Sequence, residues 1–187
     1  MPPKVKITKN DIIEASLALI REHGEEHLNA RNIASALNCS TQPIFSNFAT
    51  MEELQREVYV SAYDLYLGFI KREVESGKYP PYKSFGMAYI RFAKEEKELF
   101  KLLFMCERTE GDTSNSPDFE ESVQMIMKAN GISKEKATLI HLEMWVCVHG
   151  IATILATSFL SLEWELISDM LTDVYQGVRA RHLREEK

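Results

Sequence analysis

Polar side chains and a proline between residues 41 and 46 are of the types that read the edges of DNA bases. Gln42 can form two hydrogen bonds with adenine, and Thr41 can bond more than one kind of base. The ring of Pro43 can press on the methyl group of thymine, and Ser46 offers a further hydroxyl. This grouping predicts sequence-specific contacts in a DNA groove.

Two further residues suit the sugar–phosphate backbone of DNA. Ser40 and the backbone amides that follow it are predicted at the start of a helix, and helix N-termini favour anions. Arg31 supplies a positive charge shortly before and is the second phosphate candidate.

A catalytic site is the competing chemistry, since Cys106, His149 and several carboxylates could in principle form a nucleophilic centre. The sequence has no Gly-rich loop, no H-E-x-x-H and no G-x-S-x-G motif. Its three cysteines lie far apart, which argues against a disulfide framework and a zinc site. We therefore expect no catalysis, no metal and no cofactor. The first residues lack the apolar segment of a secretory signal, so a cytoplasmic protein is expected.

The elements that would carry the base-reading residues form a helix-turn-helix. A first helix is predicted over residues 10–23 and ends at Gly24, and Asn29 is the predicted N-cap of a short second helix. Residues 38 and 39 make the turn, and Ser40 is the predicted N-cap of the third helix. Apolar residues hold the pair against the first helix: Ile33, Leu37, Ile44 and Phe48.

The remainder of the chain also shows helical periodicity, and no segment is typical of a strand. Thr50 and Glu53 form a capping box that opens a long fourth helix to about residue 76. Five more helices are predicted near residues 82–93, 95–106, 118–130, 134–160 and 163–183, with a loop over Thr109–Pro117. The fold class is therefore all-α, with about nine helices.

The N-terminal motifs resemble the TetR-family DNA-binding domain. The runs are I-I-E-A-S-L-A-L-I-R-E-H-G, then A-R-N-I-A-S-A-L-N-C-S-T-Q-P-I-F-S-N-F, then M-E-E-L. The resemblance implies a DNA-binding domain over residues 1–50 and a helical ligand-binding and dimerisation domain over residues 51–187. It also adds Phe45 and Asn47 to the candidate DNA contacts. Phe45, Asn47 and Met51 stand where the family often has tyrosine, histidine and lysine, so up to three contacts to the DNA backbone are lost.

A second, C-terminal resemblance points to an effector site. The runs Y-K-S-F-G-M-A-Y-I-R-F-A-K-E-E-K-E-L-F-K-L-L-F-M and M-W-V-C-V-H-G-I-A are similar to a TetR subgroup with a W-x-x-x-H-G signature, here Trp145, His149 and Gly150. Trp145 and His149 are four residues apart and share a helix face. Aromatic and polar residues of this region are the candidate pocket lining, with ordinary core packing as the alternative: Tyr63, Tyr66, Tyr89, Phe92, Phe104, Met105, Trp145 and His149.

The last two helices are the expected dimer interface. The chain is almost continuously apolar from residue 145 to 162, which approaches the length of a membrane span. Acidic and histidine residues just upstream, without flanking basic clusters, favour a buried helix and no membrane contact. Two apolar stripes would form a four-helix interface in a homodimer: Ile151, Leu155 and Phe159 on one helix, and Leu166, Met170, Val174 and Val178 on the next.

Charge gives weak support for binding to nucleic acid. The formal net charge is −6, but residues 1–50 hold equal numbers of basic and acidic groups, and three lysines (Lys4, Lys6 and Lys9) precede the first helix. The leading hypothesis is a repressor that a small apolar or aromatic effector releases from a palindromic operator in double-stranded DNA, by moving the fourth helix. The alternative is a helical ligand- or protein-binding module that does not bind DNA specifically.

Overall fold

The computed structural model describes residues 7–106 and 117–184, and within these ranges the chain is helical with no strand. The nine α-helices are α1 Lys9–His23, α2 Ala30–Ala36, α3 Gln42–Asn47, α4 Met51–Glu75, α5 Pro81–Glu95, α6 Lys97–Phe104, α7 Pro117–Asn130, α8 Lys134–Ala156 and α9 Trp164–Arg184. A short 3₁₀ turn covers Glu25–His27. The all-α prediction is confirmed. The predicted loop Thr109–Pro117 lies outside the described residues, except for Pro117, where α7 begins.

Both ends of α1 have local causes in the sequence. Thr8 and Asp11 form a reciprocal capping box, with the Asp11 amide 3.2 Å from the Thr8 hydroxyl and the Thr8 amide 2.8 Å from the Asp11 carboxylate. The backbone and side-chain bonds from Thr8 lower the pKa of Asp11. Gly24 ends the helix with a φ of +85°, a conformation that favours glycine, and its amide donates to the Ile20 carbonyl.

The turn between α2 and α3 determines how the helix-turn-helix closes. The Asn29 side chain caps α2 by accepting from the Asn32 amide at 3.0 Å, as predicted. Asn38 adopts a φ of +50°, which asparagine tolerates better than most residues, and the Cys39 amide bonds back to the Ala34 carbonyl. The prediction that Ser40 caps α3 is wrong. The N-cap position is Thr41, in helical backbone geometry and without a side-chain cap bond.

The chain forms two compact units, and the division falls inside α4. Unit 1 contains the described residues up to Tyr66 together with Glu96–Cys106, and unit 2 contains Leu67–Glu95 and the described residues from 117 onward. The division of function after residue 50 stays a prediction.

Unit 1 is built around the apolar face of α1, which packs against α2, α3 and α6. Its core residues are fully buried or nearly so: Ile12, Ile20, Ile33, Ile44, Phe48 and Leu54. The Arg21 guanidinium also holds the start of α6, with two nitrogens 2.7 and 2.9 Å from the Glu96 carboxylate. This paired geometry raises the pKa of Arg21.

Unit 2 is organised by α8, which packs against α5, α7 and α9. The Ser133 hydroxyl caps its first turn, as predicted. The helix ends at Ala156, four residues before the predicted end, because Thr157 bonds back to the Thr153 carbonyl and Ser158 takes a φ of +57°. By length and composition α8 could cross a membrane, but a core helix passes the same test. Its packing against three other helices favours the core interpretation.

A buried carboxylate and its arginine partner connect three helices of unit 2. Glu73 near the end of α4 is buried, and its oxygen lies 3.0 Å from Nε of Arg91 on α5. The Arg91 guanidinium also lies 4.5 Å from the ring centre of Trp164, the first residue of α9, and Lys94 lies over the same ring at 4.8 Å. The pair therefore fixes α4 and α9 against α5.

Removing a core aromatic from unit 2 should destabilise the protein strongly. Phe92 is fully buried and packs edge-on against Phe69, with ring centres 5.3 Å apart. We expect Phe92→Ala to lower the free energy of unfolding by about 3–5 kcal/mol, because it leaves a cavity. Denaturant unfolding at fixed protein concentration measures this. The half-exposed Phe45 is the matched control, and equal losses for Phe45→Ala and Phe92→Ala would contradict the assigned core.

Candidate nucleic-acid interface and effector site

Helix α3 exposes a small set of side chains on the face opposite its core residues. Ile44 and the following Phe48 point into unit 1, whereas Gln42, Phe45 and Ser46 are exposed. Of the other predicted contacts, Ser40 is exposed, and Thr41, Pro43 and Asn47 are half-buried. The structure therefore brings the predicted base-reading residues together on one short helix and its approach.

Two polar residues of α3 direct their hydrogen atoms into the protein. The Ser46 hydroxyl donates to the Gln42 carbonyl at 2.9 Å, which leaves its oxygen available only as an acceptor. The Asn47 side-chain nitrogen donates to the Pro43 carbonyl at 2.8 Å and to the Ile7 carbonyl at 3.4 Å. Asn47 therefore ties the segment before α1 to α3. Only its side-chain oxygen remains for DNA.

The helix-turn-helix carries very little charge. Between Leu28 and Thr50, Arg31 is the single charged residue of the sequence. Arg31 is exposed, and no carboxylate pairs with it among the described residues. Lys9 lies 4.9 Å from the ring centre of Phe48 and 3.7 Å from the Glu53 carboxylate, so part of its charge is already neutralised. Lys4 and Lys6 lie outside the described residues.

Nearby side chains already form hydrogen bonds with backbone amides at the start of α4. The Thr50 hydroxyl accepts from the Glu53 amide at 3.2 Å, and the Glu53 carboxylate accepts from the Ala49 amide at 2.6 Å. The Thr50 half of the predicted capping box is therefore present, whereas the Glu53 carboxylate reaches the amide of Ala49 and not that of Thr50. Hydrogen bonds also lower the pKa of Glu52, first from its own backbone amide and then from Thr50. Because two carboxylates lie at this helix start, it does not attract a phosphate.

Four of the predicted effector residues lie in unit 1. Tyr66 lies between Tyr63 and Phe104, with ring centres 5.7 and 5.1 Å away, and Met105 follows at the exposed end of α6. A cleft of about 320 Å³ lies in the same unit, and none of the eight predicted effector residues lines it. Its lining combines apolar, polar and charged residues: Glu25, Leu28, Glu52, Gln55, Arg56, Val58, Tyr59 and Leu102.

The other four predicted effector residues lie in unit 2, and three of them form one group. The Tyr89 hydroxyl lies 2.9 Å from Nδ1 of His149. Trp145 stacks on the His149 ring with centres 5.1 Å apart and planes 16° apart, and the indole is half-exposed. Phe92 is fully buried against Phe69. Trp145, His149 and Tyr89 therefore place polar and aromatic surface together.

Unit 2 contains a second tyrosine–histidine pair that the sequence analysis did not predict. The Tyr82 hydroxyl lies 3.0 Å from Nδ1 of the buried His141, whose ring also meets Phe119 edge-on at 4.6 Å. Burial raises the pKa of Tyr82 well above its usual value. The available signal was spacing, since His141 precedes Trp145 by the same four residues that separate Trp145 from His149.

The predicted dimer stripes divide into buried and exposed parts. Ile151 and Leu155 are each only 4% exposed and pack inside unit 2, so the assignment of these two residues to a dimer surface is corrected. The cause is that α8 is apolar on nearly every side, and periodicity alone does not identify its outer face. Phe159 and Leu166 are exposed. The remaining stripe residues of α9 are half-buried: Met170, Val174 and Val178.

The outer face of α8 is instead carried by residues nearer its start. Leu139, Leu142 and Val146 are 49%, 43% and 64% exposed. Glu143, between them in sequence, accepts from Arg181 and lies 2.9 Å from Nε2 of the buried His182 on α9. The apolar outer face is therefore held in place by a polar tie between α8 and α9.

Comparison with known families decides the classification. Residues 82–175 match the family model described as Tetracyclin repressor-like, C-terminal domain, which covers half of the chain. The chain belongs to the TetR family. Members of this family are DNA-binding transcriptional regulators and not enzymes. The W-x-x-x-H-G subgroup stays a prediction.

Several solved structures share the fold of this chain at low sequence identity. A protein of unknown function from Rhodococcus sp. RHA1 has 19% identity and a TM-score of 0.73, covering 95% of this chain and 98% of its own. A TetR-like transcriptional regulator from the same source has 14% identity and a TM-score of 0.63, covering 96% and 98%. A transcriptional regulator from Aquifex aeolicus VF5 has 18% identity and a TM-score of 0.55, covering 93% and 99%. No curated protein matches the sequence.

The Tyr89–His149 hydrogen bond should contribute measurably to stability. We expect Tyr89→Phe to lower the free energy of unfolding by about 1 kcal/mol, because it removes one partly buried hydrogen bond and almost no volume. Denaturant unfolding measures this, and Tyr79→Phe is the control because no hydrogen bond of the Tyr79 hydroxyl is found among the described residues. An unchanged stability of Tyr89→Phe would show that the pair is not formed in solution.

Proposed function

We propose that this TetR-family regulator is a homodimeric repressor that binds a palindromic operator through α3. The observation that carries the proposal is the exposure of Gln42 and Ser46 on α3, next to the half-buried Thr41. These side chains project from a helix-turn-helix whose core packs on α1. In such domains the N-terminal part of the second helix meets base edges in the major groove.

The outer face of α8 supports the presence of a second copy. Leu139, Leu142 and Val146 would leave an apolar strip in water in a monomer. Gly150 continues the strip, and a Cβ added there would meet no atom within 4 Å. Glycine inside a helix lowers stability by roughly 0.5–1 kcal/mol relative to alanine. Because no neighbour within the protomer requires a missing side chain at Gly150, packing within the protomer does not explain this glycine. Close approach of a second α8 would explain it.

Helix α9 supports the same interface. Gly177 also has open space around the position of a Cβ, and Leu166 and Phe159 add exposed apolar surface near the start of α9. Two helices from each copy would form a four-helix interface with two-fold symmetry. Two-fold symmetry in the protein would be matched by a palindromic operator, and helix-turn-helix dimers read half-sites about one turn of DNA, roughly 34–36 Å, apart or multiples of it.

The effector part of the proposal rests on unit 2. Tyr89, His149 and Trp145 combine a hydrogen-bonding pair with a half-exposed indole, which suits a small aromatic or apolar molecule. An effector releases the operator only if it binds the DNA-free state more tightly. Titration of candidate effectors into the protein–operator complex, with operator release as the signal, tests this part.

A protein-binding module is the alternative function, and the low charge of the helix-turn-helix favours it. With Arg31 alone between residues 28 and 50, attraction to phosphates is small. In that case α3 would contact a protein, and no DNA sequence would be preferred.

Selection of bound duplexes from a random DNA pool should enrich one palindrome. On that operator, Gln42→Ala should weaken binding of the dimer at least about thirtyfold, because one two-bond contact to a base is worth about 1–3 kcal/mol and is lost in both half-sites. Fluorescence anisotropy at low salt measures the affinity. Ser35→Ala, at an exposed position of α2, is the control. No enriched palindrome from a folded dimer would favour the protein-binding alternative.

Placing a charge on the outer face of α8 should separate the dimer. We expect Val146→Glu to raise the dimer dissociation constant at least about tenfold, because two carboxylates would be brought together in an apolar interface. Sedimentation velocity over a concentration series measures this. Val74→Glu, at an exposed valine on α4, should leave the dimer intact. A Val146→Glu protein as dimeric as wild type would place the interface elsewhere.

A further inference from the structure

The largest exposed side chain of α3 is apolar. Phe45 is 50% exposed, although the helix has buried positions at Ile44 and just after it at Phe48. Its exposed neighbours are Gln42 and Ser46, so the ring lies within the surface that the proposed function assigns to DNA. A phenylalanine ring has no hydrogen-bonding group, and it gains free energy only by being covered with apolar surface.

Among the base edges of the major groove, only one group offers such surface. Phosphate and sugar oxygens require a donor or a charge, which Phe45 lacks. In the major groove the base edges carry hydrogen-bonding groups and a single apolar group, the C5 methyl of thymine. Phe45 can therefore make no hydrogen bond or charge contact to the phosphates, and the thymine methyl group is the base-edge group that matches its chemistry.

The residues around Phe45 offer few other groups that could distinguish one base from another. The Ser46 proton is used on the Gln42 carbonyl, and both side-chain N–H groups of Asn47 are used within the protein. Arg31 is the single charge of the helix-turn-helix. With few donors and little charge on this face, an apolar contact supplies a larger share of base discrimination.

We propose that Phe45 reads the methyl group of one thymine in each operator half-site and so determines specificity. The inference rests on the proposed function, since it requires that α3 enters the major groove. It assigns Phe45 to a base and not to the DNA backbone, and it separates Phe45 from Pro43, whose ring could in principle meet the same kind of methyl group.

The test uses the full-length protein and the palindrome selected from a random pool. Each thymine of the half-site is replaced in turn by deoxyuridine, which removes only the methyl group. At one position we expect affinity to fall about fourfold in one half-site and about fifteenfold in both, the loss for leaving one methyl group uncovered. Phe45→Ala should bind the thymine and uracil duplexes equally at that position.

Two matched variants keep the inference falsifiable. Pro43→Ala should retain the preference for thymine at that position, and so should Gln42→Ala. Phe45→Ala should also leave the slope of log affinity against log salt unchanged, because no ion is released from a base methyl group. Circular dichroism and thermal unfolding check that each variant is folded.

The outcomes separate the inference from the function on which it rests. A palindrome bound equally well with uracil at every position overturns the role of Phe45 and leaves the repressor proposal intact. Loss of the thymine preference in Pro43→Ala, with retention in Phe45→Ala, assigns the methyl contact to Pro43 and overturns the inference. Failure to enrich any palindrome overturns the proposed function first.

Discussion

The need to cover α8 determines the construction of unit 2. This helix is apolar on nearly every side, so contact with water is unfavourable over most of its surface. Helices α5, α7 and α9 cover three sides and bury Ile140, Met144 and Ala152 among others. The fourth side keeps Leu139, Leu142 and Val146 exposed, and the proposed second copy covers it. Folding of the chain and the proposed association of two chains would thus both remove the apolar surface of α8 from water.

Polar contacts then determine which arrangement of helices is selected. The hydrophobic effect is non-directional, whereas a buried polar group requires a partner in a defined place. In unit 2 such partners join Glu143 to His182, and Tyr82 to His141. Breaking one member of a buried pair costs more than the pair itself contributes. These contacts therefore specify the register of α8 against α5 and α9.

Local signals allowed the helices to be predicted from the sequence, because helix ends depend on a few adjacent residues. Gly24, Asn29 and the Thr50 hydroxyl all act within one turn of the chain. The end of α8 was placed too late, because the backbone bend at Ser158 has no such signal. The outer face of α8 and the Tyr82–His141 pair depend on packing between distant segments. The placement of Thr41, Gln42 and Ser46 on one short helix and its approach was predictable because the helix-turn-helix is local in sequence. The contact between Tyr89, His149 and Trp145 joins two helices, and no local rule predicts it.

The low charge of the helix-turn-helix has a consequence for the search for an operator. Attraction to phosphates supplies nearly all of the affinity of such proteins for arbitrary DNA, and a chromosome offers roughly a million or more competing sites. The helix-turn-helix segment between residues 28 and 50, with Arg31 as its single charge, contributes little to that attraction. A larger fraction of the protein would then remain free in solution, and it would find its operator by three-dimensional diffusion more than by sliding.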